Sequence, residues 1–317
     1  MLALKNILVP RDFSSVSDRA LRHALDLAAR TGARLHLLHA EVLHELEKGG
    51  DDQPSPSDGL DQFRDDLKKS GAASAKALDD VEIVEVARRD VSPGPAILSY
   101  ADEEEIDLIT MGTHGRRGAS RILLGSVAEE VVRRADQPVL TVRGEEGEGR
   151  SPAPGSIGRI LVPVDFSEHS REALRYAHEW TNLYGGQIDL LHVVEQDIHP
   201  AFYVGGVKSI YDVEPNLDEK VEAKLTEFAE EVLGSTQNVS AHVKTGSAPS
   251  SISDFVSENE VDLVTLSTHG RTGMKRFFLG SVAEKVIRHV PCPVLTVKAF
   301  GRSLVSGPSE ESASANV

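Results

Sequence analysis

The chain contains the same pattern twice, about 150 residues apart, and this duplication limits the folds that it can adopt. The run at 6–14 matches the run at 159–167. A second block, Gly-Thr-His-Gly followed by nine residues and Gly-Ser-Val-Ala-Glu, begins at Gly112 and recurs from Ser267, where serine replaces the first glycine. A repeat of this length is a whole domain, because the repeating units of solenoids are much shorter.

The repeat predicts how the 317 residues are divided into domains. We assign the first domain to residues 1–143 and the second to 157–299. The stretch 144–156 is rich in Gly, Glu, Ser and Pro, which predicts a flexible linker. The tail at 300–317 is rich in serine and has no apolar periodicity, which predicts disorder.

Short apolar runs alternate with helical patterns in each half. In the first half, the run at 5–10 predicts a strand, and the apolar spacing over 17–30 predicts a helix. A longer pattern at 60–78 predicts another helix. Strands that alternate with crossover helices favour a parallel sheet covered on both faces. We therefore predict an α/β fold with two tandem, open, parallel five-stranded sheets and helices on both faces, which is a Rossmann-like arrangement.

Charge and composition exclude several classes of protein. The net charge of −16, from 50 acidic and 34 basic residues, argues against nucleic acid as a partner, since nucleic-acid binding depends on clustered Lys and Arg. The apolar runs are far shorter than the roughly 20 residues of a membrane helix, which argues against a membrane partner. The first ten residues are too short and strand-like for a signal peptide. The single cysteine, Cys292, fits a reducing compartment, so we predict a cytoplasmic protein.

The repeated glycine block has the composition of a phosphate-binding loop. Asp12 ends the first predicted strand and Gly112 the fourth, and ligands of open α/β sheets bind where strand order reverses. Gly112 and Gly115 would allow close approach of the backbone to a ligand and a positive φ. Gly125 and Ser126 open the last helix, whose free N–H groups and positive dipole end favour an anion. The block therefore predicts a phosphate site in each half.

Other interpretations of the block remain open. A glycine between strand and helix can serve only the turn, and Ser126 can be only an N-cap. No P-loop sequence occurs, which excludes a P-loop nucleoside triphosphatase. Gly-x-Gly-x-x-Gly does not occur either, which weakens a dinucleotide interpretation. His114 and His269 lie in the loops without the nucleophile and orienting partner that a catalytic base needs. His36 and His39 face opposite sides of a strand and cannot share a metal. We predict no catalytic residue and no metal site.

The order Val-Pro-x-Asp-Phe-Ser, Leu-Leu-His, Gly-Thr-His-Gly-x9-Gly-Ser-Val-Ala-Glu and Pro-Val-Leu-Thr-Val resembles the universal stress protein family, and the resemblance covers both halves. It implies a Rossmann-like fold of the adenine nucleotide alpha hydrolase type, and binding of ATP, AMP or ADP, with or without Mg²⁺. By resemblance, Asp12 contacts ribose, Ala40 lies near adenine, and the loop amides hold phosphates.

The two halves differ as candidate binding sites. The first half carries the full motif, whereas Ser267 adds a Cβ in the second half, so we predict that the first half binds better. Val91 stands where the family often has the glycine found at Gly246, and Arg11 either pairs with phosphate or obstructs the pocket. The candidate residues of the first half are Pro10, Arg11, Asp12, Ala40, Met111, Gly112, His114, Gly115, Arg116, Gly125, Ser126 and Val127. Those of the second half are Pro163, Val164, Asp165, Val193, Ser267, His269, Gly270, Gly280, Ser281 and Val282.

The last strand of each half suggests how the halves associate. Members of the family commonly dimerise through these strands, and the apolar runs at 139–142 and 294–297 would be adhesive sheet edges if exposed. We expect the halves to pair as a pseudo-dimer, with a homodimer as a further possibility.

We predict a stress-response protein that binds adenine nucleotide as a regulator, with slow hydrolysis or none. The alternatives are an ATP-hydrolysing enzyme and a protein-interaction scaffold that binds no nucleotide.

Overall fold

The computed structural model describes residues 4–42, 55–114, 124–144, 152–195, 209–212, 214–268 and 279–298. Strands and crossover helices alternate in both halves. The strands of the first half are β1 (Asn6–Pro10), β2 (Arg34–Val42), β3 (Ile83–Asp90), β4 (Leu108–Gly112) and β5 (Val139–Val142). Its helices are α1 (Ser15–Thr31), α2 (Leu60–Ser70), α3 (Ala75–Asp79), α4 (Pro93–Glu103) and α5 (Ser126–Arg134).

The second half repeats this order. Its strands are β6 (Arg159–Pro163), β7 (Gln187–Val194), β8 (Val239–Thr245), β9 (Leu263–Ser267) and β10 (Val294–Val297). Its helices are α6 (Glu168–Tyr184), α7 (Leu217–Leu233), α8 (Ala248–Glu258) and α9 (Ser281–His289), with a single 3₁₀ turn at Ile210–Asp212.

The ten strands form one sheet in the order β3-β2-β1-β4-β5-β10-β9-β6-β7-β8. Neighbours within each half are parallel, and only β5 and β10 pair in opposite directions. The predicted five-stranded sheets are therefore present, but they are joined edge to edge. Strand order reverses between β1 and β4 and again between β6 and β9, which places a crevice at the carboxyl ends of each pair.

Side chains reinforce the junction between β5 and β10. Leu140 lies opposite Leu295 in the antiparallel register. The hydroxyl of Thr141 donates to the carbonyl of Val294 at 3.2 Å, and the hydroxyl of Thr296 donates to the carbonyl of Val139 at 3.1 Å. All four residues of each strand are buried, so neither apolar edge faces solvent.

Each half also contributes a cation to the last helix of the other half. Arg143 follows β5 and donates to the carbonyl of Val290, the C-cap of α9, at 3.2 Å. Lys298 follows β10 and donates to the carbonyl of Arg133 in α5 at 3.0 Å. Cations at helix C-termini complement the helix dipole, so the two last helices are each capped from across the junction.

Helices cover both faces of the sheet, and each apolar layer includes both halves. Residues of α1, α2, α3, α6 and α7 form one cluster, and residues of α4, α5, α8 and α9 form the other. In the first cluster, the hydroxyl of Tyr184 in α6 donates to the carboxylate of Asp26 in α1 at 2.8 Å. The guanidinium of Arg30 lies 4.5 Å from the centre of the Tyr184 ring. The core is thus continuous across the junction.

Two segments differ from what the sequence pattern suggests. The helix predicted over 60–78 is wrong as a single element, because Gly71 adopts φ +70° and ends α2 before α3 begins. The second part of the predicted linker packs on the first half: Arg19 donates to the carbonyl of Pro152 at 3.1 Å. Gly155 approaches Ala72 so closely that a Cβ there would lie 2.5 Å from the alanine methyl.

Among the described residues, none of the helices has both the length and the apolar composition of a membrane span.

Candidate functional site

A cavity of about 630 Å³ opens at the carboxyl ends of β1 and β4. All first-half candidates that the structure describes line it: Pro10, Arg11, Asp12, Ala40, Met111, Gly112, His114, Gly125, Ser126 and Val127. Gly115 and Arg116 lie outside the described residues. The structure therefore brings together residues that are separated by more than 110 positions in the sequence.

The cavity also contains residues that were not candidates. Ser17 reaches it from α1, and His39 and Val42 reach it from β2. Ser92 and Pro93 line it at the start of α4. The proline that begins the helix after β3 could have indicated Ser92 and Pro93 from the sequence, because proline favours the first position of a helix. That helix also begins at the carboxyl edge of the sheet.

Asp12 is held in a tight turn between β1 and α1. Its carboxylate oxygen Oδ1 accepts from the Ser14 amide at 3.1 Å and from the Ser14 hydroxyl at 2.6 Å. Ser14 is in turn the N-cap of α1 and accepts from the amide of Ser17 at 3.2 Å. These bonds fix the direction of the carboxylate at the wall of the cavity.

Arg11 is directed toward its own chain. Its guanidinium donates to the carboxylate of Asp18 at 2.7 Å and to the carbonyl of Pro56 at 3.0 Å. The side chain is only 2% exposed, and burial lowers the pKa of the guanidinium although Asp18 opposes this shift. The two terminal guanidinium nitrogens thus already bind acceptors in the α1 and 55–58 segments, whereas the buried Nε has no hydrogen-bond partner among the described residues. Pairing with phosphate and obstruction of the pocket both stay predictions.

The two described glycines of the first motif are required by close packing. A Cβ on Gly112 would lie 2.8 Å from Cγ1 of Val16, and a Cβ on Gly125 would lie 3.0 Å from the carbonyl oxygen of Thr113. The expected positive φ at Gly112 is wrong, since its backbone lies outside the left-handed region. The glycine therefore allows β4 to approach α1.

Among the described residues, no side chain caps the start of α5, which lines the cavity. Gly125 is the N-cap, with φ −62°, and Ser126 is the first helical residue, so the interpretation of Ser126 as the N-cap is wrong. The amide of Gly125 donates to the carbonyl of Thr113 at 2.8 Å. The next N–H groups of a helix have no partner within it, and the residues that carry them here, Ser126, Val127 and Ala128, line the cavity.

His114 provides a neutral polar group at the cavity wall. Its Nδ1 lies 3.0 Å from the Thr113 hydroxyl. Its Nε2 is buried and has no hydrogen-bond partner among the described residues. Burial, and then the charge of Arg143, lower the pKa of the imidazole, so His114 is uncharged near pH 7.

The second-half candidates occupy the same topological places. Asp165 accepts from the amide of Ser167 at 3.0 Å and from its hydroxyl, as Asp12 does from Ser14. Pro163 and Ser267 end β6 and β9, Val193 lies on β7, and Gly280 caps the helix that Ser281 and Val282 begin. Val164 follows β6, and its amide donates to the carbonyl of Leu191 at 2.9 Å. His269 and Gly270 lie outside the described residues.

One acidic side chain distinguishes the second crevice. Oε1 of Glu195 accepts from the amide of Ala248 at the start of α8, at 3.3 Å. The matching places in the first half are Val42 and Pro93, which line the cavity without a charge. A carboxylate at the start of α8 would repel an anionic ligand held in the same crevice.

The fold and the cavity define a doubly wound α/β protein, in tandem form, with a cavity where the strand order of the first half reverses. The family model of the universal stress protein family matches residues 3–143 and again 156–298. The chain therefore belongs to the universal stress protein family.

Individual relatives agree with this assignment. A universal stress protein of Mycolicibacterium smegmatis is 24% identical over 297 residues, covering 92% of this chain and 96% of the relative. The crystal structure of a universal stress protein from Archaeoglobus fulgidus covers 96% of this chain and 97% of its own, with a TM-score of 0.60 and 23% identity, and shows the same fold. A universal stress protein solved in complex with cAMP is 27% identical, covers 44% of this chain and 98% of its own, and has a TM-score of 0.31.

Proposed function

We propose that the first half binds an adenine nucleotide, such as ATP, AMP or ADP, and that the chain is a nucleotide-dependent regulator in the cytoplasmic stress response. One observation carries the proposal: among the described residues no side chain caps the N-terminus of α5, and this helix start lines the same cavity as Asp12. A volume of about 630 Å³ lies within the range of roughly 300–1,000 Å³ typical of small-molecule sites.

The three parts of a nucleotide match three parts of the cavity. Apolar side chains at Ala40, Ile97 and Met111 supply a surface for the base. The fixed carboxylate of Asp12 accepts hydrogen bonds from ribose hydroxyls. The amides at the start of α5 and the hydroxyl of Ser126 receive the phosphates, because a helix N-terminus favours an anion.

Among the described residues, backbone amides and not side-chain cations would hold the phosphate charge, while the candidate Arg116 lies outside the described residues. Arg11 is the basic residue among the described lining residues, and its guanidinium binds Asp18. A Mg²⁺ ion on the phosphates would neutralise part of the remaining charge. Within the described residues, no three His, Cys, Asp or Glu side chains cluster as metal ligands, so such an ion would enter with the nucleotide.

Slow hydrolysis or none is part of the proposal. A catalytic base needs an orienting partner and a positioned water. His114 lies against the Thr113 hydroxyl, and among the described residues no carboxylate orients its imidazole. The rival function is an ATP-hydrolysing enzyme. Fast magnesium-dependent turnover that disappears in His114→Ala would favour the rival.

We propose that the second half is the weaker nucleotide site. We also propose that the pairing of β5 with β10 is present in solution. Ser267 adds a Cβ where Gly112 has none, and Glu195 places negative charge at the crevice rim. The continuous core supports one rigid pseudo-dimer within each chain. Two such chains could associate further into a homodimer. Small-angle scattering that showed two independently tumbling lobes would contradict the pairing.

Methionine methyl resonances offer a site-specific test. The chain has three methionines, of which Met111 lines the cavity and Met274 belongs to the second-half loop by sequence. Titration of ¹³C-methyl-methionine protein with ATP should shift the Met111 signal at lower concentration than the Met274 signal. Absence of any shift, together with no heat in calorimetry, would favour the scaffold that binds no nucleotide.

A matched pair of variants tests the role assigned to Asp12. Asp12→Asn keeps an acceptor for Ser14 but removes the charge, and should weaken ATP binding at Met111 by about tenfold, the value of one charge-assisted hydrogen bond. Asp165→Asn makes the same change in the second half. Equal effects of the two variants on the Met111 titration would contradict the assignment.

A further inference from the structure

The turn between the first strand and first helix of each half contains an unfavourable backbone conformation. Phe13 has φ +61° and Phe166 has φ +62°. Bulky residues rarely adopt this left-handed region, and such conformations persist only where neighbouring groups hold them. Because the same outlier follows both Asp12 and Asp165, the turn is a repeated feature of the fold.

A histidine on the neighbouring strand holds each of these turns. Nδ1 of His39 lies 2.8 Å from the carbonyl oxygen of Arg11, and the ring centres of His39 and Phe13 are 4.9 Å apart. In the second half, Nδ1 of His192 lies 2.7 Å from the carbonyl oxygen of Val164, with the same ring separation to its phenylalanine. A carbonyl only accepts, so Nδ1 carries the hydrogen in both rings.

The contact with His39 restrains Asp12 from the side opposite to Ser14. The Arg11 carbonyl precedes Asp12 and is fixed by the imidazole, while the Asp12 carboxylate is fixed by the Ser14 amide and hydroxyl. The Arg11 amide is also bound, to the carbonyl of Leu38 at 2.7 Å. The left-handed Phe13 lies between these two restraints.

We propose that His39 is a positioning residue for the nucleotide site: through the Arg11 carbonyl and the Phe13 ring, it sets the direction of the Asp12 carboxylate into the cavity. This inference rests on the proposed function. His39 itself lines the cavity wall, so loss of its Nδ1 donor would release the backbone just before the carboxylate that contacts ribose.

Two substitutions of His39 separate the donor from the ring. His39→Phe keeps an aromatic ring beside Phe13 but removes the donor, whereas His39→Asn places an amide N–H near the position of Nδ1. We expect His39→Phe to weaken ATP binding, read at the Met111 methyl, by about tenfold. We expect His39→Asn to stay within about threefold of the unmodified chain. Equal losses in both variants would overturn the proposal.

His192→Phe is the matched control for stability. It removes the same hydrogen bond from the second half, so its melting temperature should fall by an amount similar to that of His39→Phe. A purely structural role of His39 would give the two variants similar shifts of the Met111 titration. The proposal requires a loss at least about five times larger for His39→Phe.

Hydrogen exchange tests the positioning without nucleotide. The Ser14 amide is bonded to the Asp12 carboxylate and should exchange about tenfold faster in His39→Phe, while the Ser167 amide should respond only to His192→Phe. Unchanged exchange at Ser14 would overturn the role of His39 even if ATP binds. If ATP does not shift Met111 in the unmodified chain, the nucleotide proposal fails, and faster exchange at Ser14 still supports the restraint.

Discussion

Substitution of Gly112 by alanine tests why the end of β4 needs a glycine. The added Cβ would lie 2.8 Å from Cγ1 of Val16 and 3.3 Å from the carbonyl oxygen of His114. Val16 is β-branched and stiff at χ1, so the methyl group cannot rotate away at low cost. The structure therefore predicts that packing against α1, independently of any ligand, excludes a side chain at Gly112.

The size of the effect follows from two opposing contributions. Overpacking of a tight site costs about 1–3 kcal/mol, while replacing glycine by alanine in a permitted backbone region gains about 0.4–1 kcal/mol through the unfolded state. We expect Gly112→Ala to lower the free energy of unfolding by about 1–2 kcal/mol. Because Val16→Ala removes the clashing methyl groups, the double variant should show a coupling energy of at least about 1 kcal/mol.

Urea unfolding of the four proteins in this cycle, without nucleotide, measures the coupling energy. Gly158→Ala is the control, since a Cβ there would meet its nearest atom, a carboxylate oxygen of Asp262, at an ordinary 3.6 Å. Its free energy of unfolding should change by less than about 0.5 kcal/mol. If Gly112→Ala is as stable as the unmodified chain and Val16→Ala adds independently, the packing argument is refuted and only a ligand would require the glycine.

Three further changes test other contacts. Burial lowers the pKa of His23 from 6.5 to about 3, so as the pH falls from 6.5 toward 3 the unfolded chain binds a proton at His23 that the folded chain does not, and stability is lost. Between pH 7 and pH 4.5, urea unfolding should show that the free energy of unfolding falls by about 3 kcal/mol more in the unmodified chain than in His23→Leu. Arg143→Ala removes the donor to Val290 and should lower the free energy of unfolding by about 1 kcal/mol; an unchanged urea midpoint would contradict its capping role. Gly115→Val should weaken ATP binding more than Gly270→Val in calorimetry, and equal losses would remove the ranking of the two halves.

The sequence predicted the fold and the walls of the cavity because both follow from short-range patterns. Alternating strands and helices dictate a parallel sheet, and the repeat shows that the pattern occurs twice. The carboxyl ends of β1 and β4 then have to meet, which brought Asp12 and Gly112 together before any coordinates were known. The element boundaries shifted by one or two residues, as at α1, which was expected over 17–30 and spans Ser15–Thr31.

The remaining features depend on contacts between residues that are distant in the sequence. Nothing near Gly112 in the chain shows that Val16 occupies the space of its missing side chain. The role of His39 depends on a carbonyl 28 positions earlier. The sequence does not show that the guanidinium of Arg11 binds Asp18 and the carbonyl of Pro56. The histidine near the end of each second strand, His39 or His192, was visible in the repeat, but its hydrogen-bond acceptor was not.

The reversal of direction at the β5–β10 junction determines where the two crevices open. Since β10 runs opposite to β5, the mouths lie at opposite ends of the sheet and face away from each other. A compact partner seated over one mouth would leave the other uncovered. If both crevices bind ligands, any coupling between them would pass through the shared strands and the cross-capped helices, and a partner docked at each mouth would not collide with the other.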